Sequence, residues 1–163
     1  MADRSPPPLT GAQRRIRHSR VARIARKLGF VGAVEYRHVY SKSGGAQYGQ
    51  GQTAADDLLI VYAEAFDRDA NPDDFSLTAI LAHECGHQIL ARHQRIARQV
   101  KGKLSDASEE ILAAVLGSLL CEEVEDQDNL TLQAAAILAD HGQSAAVAIQ
   151  RIQGLRTLFE ELL

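Results

Sequence analysis

The chain is poor in cysteine, has no long apolar run and has no aromatic residue among its N-terminal arginines. Each shortage excludes something. Two cysteines, Cys85 and Cys121, are too few for a disulfide framework, so a reducing cytoplasm is the expected compartment. No apolar run approaches the ~20 residues of a membrane span, so no membrane contact is expected. Met1–Pro8 lacks the apolar core of a signal peptide. Residues 1–11 are expected to form a disordered Pro-rich leader, and 12–163 a single domain. The region 14–27 is rich in arginine but has no aromatic residue, which argues against base stacking.

Composition is otherwise that of a globular protein, 45% hydrophobic and 24% charged. The net charge of −3 conceals a polarity: residues 1–42 carry +8 and the remainder −11. A basic head on an acidic body points either to an anionic partner or to a head that lies on the body.

Thr10-Gly11 opens a predicted helix to Leu28, with Ile16, Val21, Ile24 and Leu28 as its apolar stripe. Gly29 stops it. Residues 34–40 read as a strand, 46–53 as an irregular edge strand, and Leu58–Tyr62 as a short, almost wholly apolar strand. Asn71-Pro72-Asp73-Asp74 has the chemistry of a helix start, and that helix should reach the low 90s. Asp106-Ala107-Ser108-Glu109 resembles a capping box opening a helix to about Cys121. The acidic run Glu122–Asp128 reads as a solvated helix end and loop, and 130–140 and 144–162 as two closing helices. The expected fold class is α+β: an N-terminal helix, a small three-stranded sheet, then helices.

The chemistry is concentrated in His83-Glu84-Cys85-Gly86-His87, an HExxH sequence. Residues four apart on a helix are ~40° apart around its axis and one turn along it. Both imidazoles then aim at one point, where they can reach Zn²⁺ at ~2.0–2.1 Å. Glu84 lies ~100° from His83, so it is the expected general base rather than a ligand. Leu77, Leu81, Cys85 and Ile89 form an apolar strip roughly opposite the histidines. Gly86 leaves room for a neighbouring backbone.

Catalytic zinc usually has three protein ligands. His93 falls where the longer pattern HExxHxxGxxH has its third histidine. Leu90 replaces the required glycine, however, and the only methionine is Met1, so no methionine turn can lie below the metal. On the next predicted helix, Glu110 is followed by Ala113, Ala114 and Gly117, a small-residue stripe that permits close approach to the HExxH helix. Glu110 is therefore the expected ligand and Glu109 the alternative. Tyr48, Tyr62 and His141 are weaker candidates for an oxyanion donor.

His83–His87 followed by Glu110-Ile111-Leu112-Ala113-Ala114 resembles the gluzincin pattern HExxH…ExxA[D/N/E]. The segment 109–121 is similar to one in the zincin-like domain of ArdC-type antirestriction proteins, and the two motifs together resemble ImmA/IrrE-type small metallopeptidases. The resemblance spans about residues 30–125. It implies a compact zincin-like fold with a zinc peptidase site, with His83 and His87 as ligands and Glu84 as base, in proteins often borne on plasmids, phages or integrated elements. The chain departs from the pattern at Ala114, where relatives carry an acid or amide. The oligonucleotide-binding domain of ArdC-type proteins has no counterpart in these residues, so DNA binding is not implied.

The leading expectation is a zinc-dependent endopeptidase acting on a specific protein or peptide substrate. The alternative is a zinc-stabilised regulatory protein with little turnover, contacting nucleic acid or a partner through the basic helix. For Arg14–Lys27 the expected nucleic-acid contact is at most weak, sequence-independent and salt-sensitive.

Overall fold

Helix α1 (Gly11–Lys27) begins where Thr10 and Gln13 satisfy each other: Gln13 N–H donates to Thr10 Oγ1, and Thr10 N–H to Gln13 Oε1. It ends on Gly29, whose φ of +90° lets the Phe30 and Gly29 amides return to the carbonyls of Ala25 and Arg26. The structure is a computed structural model of the 163-residue chain and describes residues 4–41, 43–67 and 75–163.

Strands β1 (Ala33–Arg37), β2 (Ala46–Gly49) and β3 (Leu58–Tyr62) form one sheet in the order β1-β3-β2. β1 is parallel to β3, with Ala33 opposite Leu58, and β2 is antiparallel, with Ala46 opposite Val61. Both flanking strands are shorter than expected. β3 has five residues, so the ladder to β1 ends at Arg37–Tyr62. Residues beyond Gly49 turn away, and Gly51 N–H binds the Asp57 carboxylate instead of a strand.

The helices that follow are α2 (Leu77–Arg92), α3 (Gln94–Val100), α4 (Asp106–Leu120), α5 (Val124–Asp140) and α6 (Ala145–Leu162). The expected start at Asn71–Asp74 lies outside the described residues; Ser76 caps α2 by accepting from Ala79 N–H. Beyond the expected end of that helix in the low 90s, residues 94–100 form a further short helix. The chain breaks at His93, whose extended backbone ends α2 and whose ring accepts from Ile96 N–H to cap α3. At α4 the cap is Ser105, not Asp106, and Glu109 falls outside the capping positions. Of the acidic run only Glu122 and Glu123 lie in the loop; Glu125 and Asp126 occupy the first turn of α5, where the helix dipole favours them.

With six helices and a small mixed sheet among the described residues, the fold class is α+β, as expected. α2 separates two apolar clusters. On one side Leu77, Leu81 and Cys85 join α1 and the sheet. On the other, α4 packs with α3, α5 and α6 around Ile96, Leu116, Ile152 and Phe159. α1 docks through Val21, Ala25 and Leu28, but Ile16 is 67% exposed and does not belong to the buried stripe. One turn before Val21, Arg17 takes that place, its guanidinium 4.5 Å from the Phe66 ring centre and bonded to Tyr36 Oη. Pro7 O accepts from His38 Nε2 at 2.7 Å. Among the described residues, no helix is long and apolar enough to cross a membrane.

Candidate metal centre

Burial of Leu77, Leu81 and Cys85 against α1 and the sheet fixes the rotation of α2, so its opposite face turns toward α4. That face carries His83 and His87, with Glu84 beside them. What closes over it is decided by two glycines. A Cβ on Gly86 would lie 2.1 Å from Ala113 O, and one on Gly117 would lie 2.6 Å from Ala82 O. The two helices therefore meet backbone to backbone, antiparallel, and the first turns of α4 are laid across the histidines.

His83 Nε2 is 2.9 Å from Glu110 Oε2, and His87 Nε2 is 3.2 Å from Glu110 Oε1. One carboxylate thus faces both imidazoles. Glu109 reaches the other side of the second ring, with Oε1 3.2 Å from His87 Nδ1. The two glutamates that the sequence left in competition are separated by geometry: Glu110 stands on the shared Nε2 side and Glu109 on the outer side. His83, Glu84 and His87 also offer ligand atoms that all lie within 4.8 Å of one another. This group can hold a metal ion. Of the two carboxylates, Glu110 is the one that contacts both rings. The donor set of two imidazoles and a carboxylate suits Zn²⁺.

Burial pushes the Glu84 carboxyl above its usual range, against the pull of His83 and His87. Glu110 is held well below the carboxylate range by its hydrogen bonds to His83 and His87. For His87, burial opposes the proton, but the Glu110 hydrogen bond and the Glu84 charge outweigh it and raise the pKa. His83 Nδ1 is buried with no hydrogen-bond partner among the described residues. Ala114, on the same face of α4, is fully buried and offers none.

A cleft of about 300 Å³ opens onto this cluster, bordered by Ser43, Gln47 and Tyr48 on one side and Glu109 and Glu110 on the other. β2 supplies its wall and is an edge strand. His93 caps α3 and stays outside the cluster. Tyr48 lines the cleft, but its hydroxyl donates to Asp57 at 2.7 Å, and burial with that bond pushes its pKa up to about 12. Tyr62 Oη donates to Gln47, and His141 is exposed at the end of α5. None of the three aims a free donor into the cleft.

Sequence reasoning missed Asp57. It is buried and accepts from Tyr48, Gly51, Gln88 and Arg92, the last pairing at 2.7 Å. Burial would raise its pKa, but these donors outweigh it and hold the carboxyl far below its usual range. Gln88 also bonds both backbone groups of Val31. The hub ties the C-terminal half of α2 to the loop that leaves β2, and so braces the cleft. Its only sequence signal is an acid directly before an apolar strand, which names no partner.

Cys85 and Cys121 are buried free thiols, each pushed up to about 12 by burial. On α1, Lys27 pairs with Glu122 at 3.3 Å and Arg26 bonds the carbonyls of Phe30 and Gly32. Compared with protein-family models, curated proteins and solved structures, the chain matches none.

Proposed function

We propose that the protein is a zinc-dependent metallopeptidase, with His83, His87 and Glu110 holding the metal and Glu84 acting as general base. The observation that carries this reading is the convergence of both HExxH Nε2 atoms on the Glu110 carboxylate, with Glu84 beside them in a cleft walled by an edge strand. Bound Zn²⁺ would supply Lewis acidity toward a carbonyl and a water. The chain's own residues would do the rest. Glu84, its basicity raised by burial, takes a proton from the attacking water and returns it to the amine that leaves as the peptide C–N bond breaks. Glu109 holds His87 from the Nδ1 side and fixes which nitrogen faces inward. The free edge of β2 receives an extended segment of a protein substrate by strand addition. The two reduced thiols agree with a cytoplasmic setting.

The test is a Glu84→Gln variant assayed beside the parent for metal and for capture of substrate. The expected result is about one zinc per chain in both, with a protein that is cleaved by the parent and retained uncut by the variant. A parent without zinc, or a variant as active as the parent, would overturn the reading. One observation favours a zinc-stabilised regulatory protein instead. His83 Nδ1 lacks the hydrogen-bonded support that zinc-bound histidines usually have, so zinc in both proteins without turnover in either would select that role.

A further inference from the structure

We propose that the apolar cavity between α3, α4 and α6 binds a medium-chain carboxylate amphiphile, such as a free fatty acid. The cavity measures about 570 Å³, within the ~300–1,000 Å³ of small-molecule sites. Its wall is formed by Val100, Leu104, Ile111, Leu112, Leu155 and Leu158. Leu104 and Leu158 stand exposed at its mouth, while Ile111 and Leu112 form a buried floor. It lies on the side of α4 opposite the one that carries Glu110, so it is separate from the candidate metal centre.

Charge selects the ligand class. Lys103 and Arg151 lie at the same cavity, no lining residue is acidic, and neither cation has an ion pair among the described residues. A carboxylate placed there completes two charges that the chain leaves open, while an alkyl tail covers the leucines. Gly154 lies in the middle of α6 and in the groove wall. Glycine inside a helix weakens it relative to alanine. At Gly86 and Gly117 a neighbouring helix requires the missing side chain, but a Cβ on Gly154 would meet nothing within 4 Å. Gly154 is exposed, so a larger side chain there would extend into the groove without meeting the rest of the chain.

The probe is dodecanoate below its micelle concentration, followed by calorimetry and by thermal unfolding of the whole chain. One saturable site per chain is expected, tightening about threefold for each methylene added from octanoate upward. Lys103→Glu with Arg151→Glu should weaken binding at least tenfold, and dodecanol should bind at least tenfold less tightly than dodecanoate. Gly154→Leu should fill the cavity and abolish binding while circular dichroism and the melting temperature stay at or above those of the parent. Absence of saturable binding, equal binding of dodecanol, or unchanged binding to Gly154→Leu would overturn the proposal. A parent that sediments as a dimer, and is made monomeric by Gly154→Leu, would also overturn it, assigning the groove to a second copy.

Discussion

Two adjacent glutamates carry different loads, and single substitutions should separate them. Glu110 touches both Nε2 atoms, so Glu110→Ala should lower zinc from about one per chain to background by elemental analysis. Glu109 touches only the far side of His87. Glu109→Ala should keep the stoichiometry but weaken affinity roughly 10–100-fold in a chelator competition, the usual cost of removing a group that orients a ligating histidine. Asp57 makes a different prediction. Its folded pKa is depressed, so its contribution to stability is fully present above the unfolded carboxylate value of about 4 and is lost as pH falls through the folded value. Asp57→Ala leaves four donors facing a vacated site and should cost about 3 kcal/mol near neutral pH. In urea titrations the gap between parent and variant should narrow only below about pH 4. A gap that instead closes between pH 6 and 8 would show that another group carries the effect.

At the scale of elements, the site depends on how closely α4 lies on α2. Gly86→Ala and Gly117→Ala both place a methyl against backbone that cannot turn aside, and each should destabilise the fold by about 1–3 kcal/mol while loosening zinc. Gly154→Ala, with open space around its Cβ, should stabilise by about 0.5–1 kcal/mol. Denaturant midpoints for the three variants check both signs together. The approach was legible in part. Gly86 and the stripe Ala113, Ala114, Gly117 announce small faces on two helices, and the helix period gives those faces directly. Which residue meets which was not legible, because antiparallel pairing of Gly86 with Ala113 and of Ala82 with Gly117 is set by packing. The break at His93 was missed for a related reason: residues 94–100 continue a helical composition, and only the turn of the chain separates α3 from α2.

For the whole molecule, the basic head lies against the acidic body at α1, but compensation is partial. Lys27 pairs with Glu122, Arg17 and Arg20 lie over Phe66, and Arg26 serves two carbonyls. Arg14, Arg15 and Arg23 make no ion pair among the described residues. With about three such cations and an exposed Ile16 between them, duplex DNA should bind weakly and without sequence preference, and should be released between 50 and 200 mM salt, roughly an order of magnitude or more in affinity being lost over that range. Anisotropy titrations at several salt concentrations measure this directly. A footprint on a defined sequence that persists at high salt would contradict it.

By itself the sequence determined what depends on residues within a turn or two of each other. The four-residue spacing of His83 and His87, the strip Leu77–Leu81–Cys85 behind them, the Thr10 cap and the apolar run of β3 all follow from helix and strand periods. Tertiary structure alone decided what joins residues far apart. It brought Glu110 to both imidazoles and Glu109 to the outer nitrogen of one. It cut β1 and β2 short to match β3, left Ile16 in solvent, and gathered Tyr48, Gln88 and Arg92 around Asp57. The physical reason is the same throughout. Periodicity and capping act within one element, whereas a carboxylate's partner or a glycine's neighbour depends on where a second element lands, and that is settled by burying both apolar clusters together.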